Sequence, residues 1–366
     1  MSGGDDVLVA VAGHGLAESR AALPCAPLAD PEWDALLTDV RRQRVTGLLA
    51  AAVADGALPV TPAQRSAVSL AHQDAMGVAL ELEARLLRIA GVLDDAGVAW
   101  KVLKGPASAH LDYPDPSMRE FGDLDLLVPG PQLPVTLASL RELGAERRVP
   151  EVSRGFDQRF AKSLEVVDPD GWEIDLHRTL ALEPFGLRID EQTLLASAEP
   201  FEVTGRRLTA LATEERFLLA CYHASLGNFP VRLSPLRDLA QIASGSELDL
   251  ARVLGVAKRW WARAVVADAV TRAWATYALD AAAPVARWAA AYRPSRSERA
   301  ALAAFQRTDR RQLHRTIATL RTTPSVSSRV IYLRSMLLPD RAYLDSRRMS
   351  VGSWWKRGQA ALRAPQ

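Results

Sequence analysis

The chain has 366 residues, of which 48% are hydrophobic and 24% charged, and its formal net charge is +2. This length and composition are typical of a globular protein with room for two domains and exclude a wholly disordered chain. No run of about 18 uncharged apolar residues is present, so the sequence predicts no transmembrane helix. Its two cysteines, Cys25 and Cys221, exclude a disulfide framework and a cysteine metal cluster.

Charge is distributed unevenly along the chain. Residues 251–366 contain 22 lysines and arginines against 6 acids, or +16, whereas residues 1–250 contain 23 against 37, or −14. The basic part is therefore expected either to pack on the acidic part or to contact an anionic partner, for which nucleic acid is a candidate. The first residues include acids where a secretory signal has basic residues, so the sequence predicts a cytoplasmic protein.

Residues 1–97 are predicted to be helical. Asp30-Pro31 and Thr61-Pro62 each combine a helix-capping residue with a proline at the first helical position. After Pro62, apolar residues recur at helical spacing to the end of the region. We expect these helices to pack against the module that follows and to shape one side of its cleft.

A strand, a glycine turn and a helix are predicted next. Residues 98–103 (VAWKVL) are typical of a buried strand, Gly105 supplies a sharp turn, and Pro106 is placed to begin a helix. Backbone N–H groups at such a turn can approach a phosphate. Because Pro106 lacks one of these donors, Lys104 and Ser108 are candidates to contact phosphate instead.

The run DLDLLV, residues 123–128, alternates acids with aliphatic residues and predicts a short strand. Asp123 and Asp125 then project from one face, and Leu124 and Leu126 from the other. Paired carboxylates repel each other unless a cation lies between them, and Mg²⁺ commonly binds one or two carboxylates together with nucleotide phosphates. Two solvated aspartates at a strand end are the alternative interpretation.

Arg119 precedes this strand, four residues before Asp123. A guanidinium at this position could bind a triphosphate, because its planar fork of donors matches phosphate oxygens. It could equally brace the two aspartates. The sequence leaves both roles open.

A β-hairpin is predicted around the turn sequence DPDG at residues 168–171, whose aspartates are expected to form the turn. On the second strand of the hairpin Glu173, Asp175 and His177 share one face. His177 could orient an acceptor or be a histidine hydrogen-bonded beside the acids. The strand therefore offers further carboxylates for the site begun by the DLDLLV strand.

Together these motifs resemble the nucleotidyltransferase superfamily of the DNA polymerase beta type, and more closely an uncharacterised bacterial branch with an LKG turn, an arginine and a DIDLLV-like strand. The resemblance covers residues 98–180. The residues that carry it are Lys104, Gly105, Arg119, Asp123 and Asp125. Proline in place of glycine or serine after Gly105 departs from the superfamily pattern and puts one phosphate contact in doubt.

The resemblance implies three catalytic, metal-binding carboxylates, Asp123, Asp125 and Asp175, with Glu173 as the fallback for the third. It implies Mg²⁺ or Mn²⁺ as cofactor and an NTP, first of all ATP, as co-substrate. The implied nucleotide-binding residues are Lys104, Gly105, Ser108 and Arg119.

The remainder of the chain is again predicted to be helical, with Thr213 and Ser234 as helix-capping residues. By resemblance His223 and Asp238 could face the cleft, although buried structural roles are the alternative. The predicted fold class is α+β, a small mixed sheet with flanking helices embedded between helical regions. The predicted regions are an amino-terminal helical region (1–97), a catalytic core (98–204) and a basic helical region (205–366).

Two functions of different class follow. The first is an enzyme that moves a nucleoside monophosphate from an NTP to a hydroxyl or phosphate acceptor, which could be a small molecule, a peptide natural product, a protein or RNA. The second is a non-catalytic binding or scaffold protein of the same fold that engages nucleic acid or a protein partner. The presence of all three acids favours the enzyme, and Pro106 counts against it.

Overall fold

The computed structural model describes residues 3–17, 19–227, 232–245, 248–306, 316, 319–320, 325–350 and 352–354. The strands in chain order are β1 (Lys101–Val102), β2 (Leu124–Leu127), β3 (Glu146–Arg147), β4 (Ser163–Val167), β5 (Glu173–His177), β6 (Glu199–Val203) and β7 (Arg206–Ala210). They form one sheet of parallel and antiparallel pairs in the order β3-β4-β5-β2-β1-β7-β6.

Helices precede, interrupt and follow this sheet, which confirms the α+β class. Those before β4 are α1 (Gly3–Ala12), α2 (Asp30–Gln43), α3 (Thr46–Ala54), α4 (Pro62–Asp95), α5 (Pro106–Asp112), α6 (Leu133–Glu142) and α7 (Phe156–Arg159). Those after β5 are α8 (Glu191–Ala196), α9 (Thr213–Leu226), α10 (Leu233–Gly245), α11 (Leu250–Arg259), α12 (Arg263–Tyr277), α13 (Pro284–Ala291) and α14 (Arg296–Gln306), then Val326–Leu337 and Arg341–Ser346. Within the described residues, no helix combines the length and apolarity needed to span a bilayer.

The centre of the sheet joins the two motif strands directly. β2 is parallel to β5, with Asp125 opposite Asp175, and β5 is antiparallel to β4. On the other face Leu124 and Leu126 are fully buried in one core with residues of α4. The alternation of acids and aliphatic residues therefore separates a packed face from a functional face, as the sequence predicts.

Helix α4 covers the packed face of the sheet. It begins with a capping box, in which Thr61 accepts a hydrogen bond from the Gln64 backbone and Gln64 accepts one from the Thr61 backbone. Leu82, Leu86 and Leu93 of this helix are fully buried, and each such side chain stabilises the fold by about 1.5–3 kcal/mol. The Thr61-Pro62 signal is thus confirmed as a helix start.

Two other predicted caps are displaced by one residue and a third by two. Helix α2 begins at Asp30 and has Ala29 as its N-cap, and α9 begins at Thr213 with Ala212 before it. Helix α10 begins at Leu233, although the sequence predicts Ser234 as its cap. The Leu233 N–H donates to Oε1 of Gln43 on α2 at 3.0 Å. A distant side chain therefore satisfies a donor of this first turn.

The helical regions before and after the sheet share one hydrophobic core. Val40 and Leu48 from the amino-terminal helices pack in the same cluster as Phe217, Leu239 and Val265. The last strand, β7, lies beyond residue 204, the predicted boundary between the catalytic core and the basic helical region. The division of the chain into three regions stays a prediction.

The final helices dock near the start of β4. Tyr332 packs against the rings of Phe156 and Phe160 at centroid distances of 6.1 and 5.4 Å. The backbone N–H of Asp340 donates to the Val152 carbonyl at 2.8 Å. These contacts place the final helices against the segment that leads into β4.

Candidate active site

Two carboxylates and an imidazole meet where β2 and β5 pair. Asp125, Asp175 and His177 each offer an oxygen or nitrogen ligand atom, and these atoms lie within 4.8 Å of one another. Nε2 of His177 lies 2.8 Å from Oδ1 of Asp125 and 3.9 Å from Oδ2 of Asp175. The parallel register produces this cluster, since it places Asp125 beside Asp175 on one face.

Lys104 and Asp123 complete the charged centre. Nζ of Lys104 is 2.8 Å from Oδ2 of Asp125 and 3.8 Å from Oδ2 of Asp123. The side chain of Asp125 is 1% exposed, whereas those of Asp123 and Asp175 are 31% and 32% exposed. The structure therefore places Asp125 and Asp175 in one cluster, with Asp125 buried and Asp175 partly exposed, and Lys104 links Asp125 to the partly exposed Asp123.

Burial raises the pKa of Asp125 and of Asp175, and neighbouring cationic groups lower it. Burial alone would raise the pKa of Asp125, but the Lys104 ammonium and the hydrogen bond from His177 outweigh it, so the pKa is lowered. Burial raises the pKa of Asp175, and the Asp125 charge raises it further against the opposing effect of His177. Asp125 is thus held as a carboxylate.

A cavity of about 390 Å³ opens beside this centre, and we call it the cationic cavity. Its lining includes Lys104, Gly105, Arg119, Asp123 and His223 from the sequence predictions. The sequence reasoning missed Arg44, Lys162 and Arg232, which also line it. No local motif marks these residues, because they come from separate segments joined only by the fold.

The glycine turn has the conformation that the sequence predicts. Gly105 has φ +63°, which favours glycine, and a Cβ there would lie 3.4 Å from Cγ of Phe121. Pro106 begins α5, as expected. Ser108 is buried one turn later and does not line the cationic cavity, so its phosphate contact stays a prediction.

Arg119 is held by a partner that the sequence did not suggest for it. It donates to Asp238 through Nε at 2.6 Å and Nη2 at 2.7 Å, and the Tyr113 hydroxyl donates to the same carboxylate at 2.8 Å. Both members of the pair are buried. Asp238 therefore holds the Arg119 side chain at the wall of the cationic cavity. Among the described residues, Arg119 forms no hydrogen bond with Asp123 or Asp125.

Glu173 lies at the outer end of β5. Its side chain is 51% exposed and forms an ion pair with Arg148, which also pairs with Glu165 on β4. The fallback acid therefore points to the same face as Asp175 but remains in a surface network.

His223 lines the cationic cavity, and its pKa is lowered to about 3 by burial and by the Lys104 and Lys162 charges. Since its unfolded pKa is higher, its stabilising contribution is complete above about pH 6.5 and is lost as the pH falls toward 3. We expect this residue to lower the free energy of unfolding by up to about 1.4 kcal/mol per pH unit below pH 6. Urea denaturation between pH 7 and pH 4 measures this slope.

The matched comparison for this prediction is His223→Gln, which keeps a polar side chain without the titrating imidazole. Its stability should decline less steeply with acidification than that of the wild type. Equal slopes for the two proteins would contradict a neutral imidazole at position 223.

A family model described as "Uncharacterised nucleotidyltransferase" matches residues 29–277. A solved structure of an antigenic nucleotidyltransferase-like protein from Paracoccidioides brasiliensis is similar over 56% of this chain and 96% of that chain, with 16% identity and a TM-score of 0.29. No curated protein matches significantly. The superfamily that the motifs resemble is confirmed, and the chain belongs to this family of uncharacterised nucleotidyltransferases.

Proposed function

We propose that the protein transfers a nucleoside monophosphate from an NTP to a hydroxyl or phosphate oxygen of an acceptor, with release of pyrophosphate. The observation that carries the proposal is the cluster of Asp125, Asp175 and His177 on adjacent strands. Lys104 and Asp123 join this cluster to the cationic cavity. A compact group of acids beside a cationic pocket suits a polyphosphate substrate.

The acids fit a hard divalent cation, Mg²⁺ or Mn²⁺. Asp123, Asp125 and Asp175 would hold it, because such cations prefer carboxylate oxygens. Oδ2 of Asp125 is a buried carboxylate oxygen that lies 2.8 Å from the Lys104 ammonium. When bound, the cation would neutralise charge on the triphosphate and activate the acceptor oxygen.

The chain's own side chains would position the reactants. Lys104, Lys162 and Arg44 supply positive charge along the cationic cavity, where the triphosphate would bind. His177 fixes Oδ1 of Asp125, so that Oδ2 faces Lys104. Asp175 is the partly exposed member of the cluster. It would complete the metal site or take the proton from the acceptor hydroxyl. Catalysis would rest on positioning and charge neutralisation.

A second candidate is a nucleotide-binding protein without turnover. The Lys104 ammonium and His177 already compensate the buried Asp125 carboxylate. A site neutralised by the chain's own cations could bind a polyphosphate without a metal. This contact is the observation that favours the second candidate.

The two candidates are separated by incubation of the protein with each α-labelled NTP, Mg²⁺ and cell extract. The enzyme should release pyrophosphate and transfer label to an acceptor, and both signals should vanish with EDTA or in an Asp123→Ala, Asp125→Ala double variant. Equal labelling by wild type and double variant would overturn the proposal. NTP binding that needs no metal, with no label transferred, would instead support the binding protein.

A further inference from the structure

A second cavity, of about 490 Å³, lies between β4, the segment before it and the final helices. We call it the aromatic cavity, because Phe156, Tyr343 and Trp354 line it. Lys162 and Leu182 line both this cavity and the cationic cavity. The two cavities are therefore neighbours that share a wall.

The sheet places the aromatic cavity next to the acid cluster. Ser163 and Glu165 of β4 line it, and they lie directly opposite His177 and Asp175 of β5. Residues opposite each other on neighbouring strands project from the same face. Since β5 lies between β4 and β2, Asp175 lies on the strand between β4, which lines the aromatic cavity, and β2, which carries Asp125.

The charges lining the aromatic cavity are unequally compensated. Arg147 pairs with Asp157 at 2.6 Å, and Glu165 pairs with Arg148. By contrast, no carboxylate in the described ranges lies within ion-pair distance of Lys162 or Arg347. The guanidinium of Arg347 lies 5.7 Å from the ring centroid of Tyr343. The third acid of the lining, Glu183, accepts a hydrogen bond from the Tyr332 hydroxyl at 3.0 Å. The cavity thus presents aromatic rings together with Lys162 and Arg347, two cations without a carboxylate partner among the described residues.

We infer that the aromatic cavity binds the acceptor, and that the acceptor is a small molecule with a flat apolar body and a carboxylate or phosphate group. This inference rests on the proposed nucleotidyl transfer. The volume is that of a small-molecule site, the rings can stack on a flat body, and Arg347 can pair with the anionic group. The body would then lie over β4, with its nucleophilic oxygen toward Asp175.

The transfer step balances with these groups alone. The acceptor hydroxyl oxygen forms a bond to the α-phosphorus, and the bond from that phosphorus to the bridging oxygen breaks. Pyrophosphate leaves with the electron pair of the broken bond, and the hydroxyl proton passes to solvent. Lys162, at the wall shared by both cavities, lies where the acceptor would meet the nucleotide.

The selectivity for the acceptor would come from outside the region shared with the family. Met336, Tyr343, Arg347 and Trp354 all line the aromatic cavity, and all follow residue 277, where the family match ends. Relatives with other final helices would then transfer nucleotides to other acceptors. The acid cluster itself would stay the same.

Binding without turnover tests the inference on the full chain. The probes are 2-naphthoate, 2-naphthyl phosphate and the uncharged 2-naphthamide, measured by isothermal titration calorimetry. At least one anionic probe should bind, with the amide at least about tenfold weaker. Arg347→Gln should weaken the anion by a similar factor, Arg347→Lys should restore part of the affinity, and Arg348→Gln, at the next exposed arginine, should leave it unchanged.

Several results would overturn the inference. Absence of binding by both anions, or equal affinity in the Arg347→Gln and Arg348→Gln proteins, would reject the assigned ligand class. Competition between naphthoate and Mg–ATP would place the probe in the cationic cavity instead. Displacement by a single-stranded oligonucleotide would indicate a nucleic-acid acceptor. Thermal unfolding of each variant checks its fold, and failure of nucleotidyl transfer is detected separately by the label assay.

Discussion

Asp125→Asn is expected to lower the rate of nucleotidyl transfer by about 10³-fold or more. Asp125 is the buried member of the acid cluster, in contact with both Lys104 and His177. A neutral amide would keep the shape but remove the charge that a cation needs. The measurement is transfer of label from saturating α-labelled NTP in the presence of Mg²⁺ and cell extract.

Glu173→Gln is the matched control for this experiment. Glu173 is also an acid on the same face, two residues from Asp175, but it is exposed and paired with Arg148. Its neutralisation should change the rate by less than about threefold, as expected for a surface pair. Comparable losses in both variants would contradict the assignment of Asp125 and reopen the choice of the third acid.

Asp238→Asn is expected to lower the free energy of unfolding by about 3–5 kcal/mol. The substitution leaves the buried Arg119 guanidinium without its countercharge and disturbs the hydrogen bond from Tyr113. The urea midpoint should fall while the dependence on urea concentration stays the same. A change of this size is a large part of the stability of an ordinary domain.

The control for this prediction removes both members of the pair. Arg119→Met with Asp238→Leu should be less destabilised than Asp238→Asn, because no unpaired charge remains buried. NTP affinity of a folded Arg119→Met protein then tests the other role of this residue. If that affinity falls sharply while stability is kept, Arg119 binds phosphate rather than bracing the cavity wall.

Local patterns were sufficient to predict the strands of the site. The alternation in DLDLLV determines which face carries the acids, and the helix-covered face is packed as expected. The hairpin turn was also predictable, since Oδ1 of Asp168 accepts hydrogen bonds from the backbone of Asp170 and Trp172. Asp175 lies opposite Asp125, because the hairpin strand pairs with β2 in that register.

Contacts between distant segments could not be predicted in this way. Arg44 comes from the end of α2 and lies 3.8 Å from Asp123, and Arg119 pairs with Asp238 from α10. Such pairs depend on how helices pack rather than on spacing along the chain. For the same reason the sequence missed Lys162, whose position follows from the start of β4 next to β5.

The adjacency of β2 and β5 links ligand binding to completion of the fold. Asp125 and Asp175 are separated along the chain by helices α6 and α7 and strands β3 and β4, so they meet only when the hairpin has joined the sheet. A ribosome-bound chain that ends before β5 cannot form this cluster. A ligand that binds only the native state stabilises it by mass action. Divalent cation and NTP should therefore raise the unfolding temperature and protect the sheet from proteolysis.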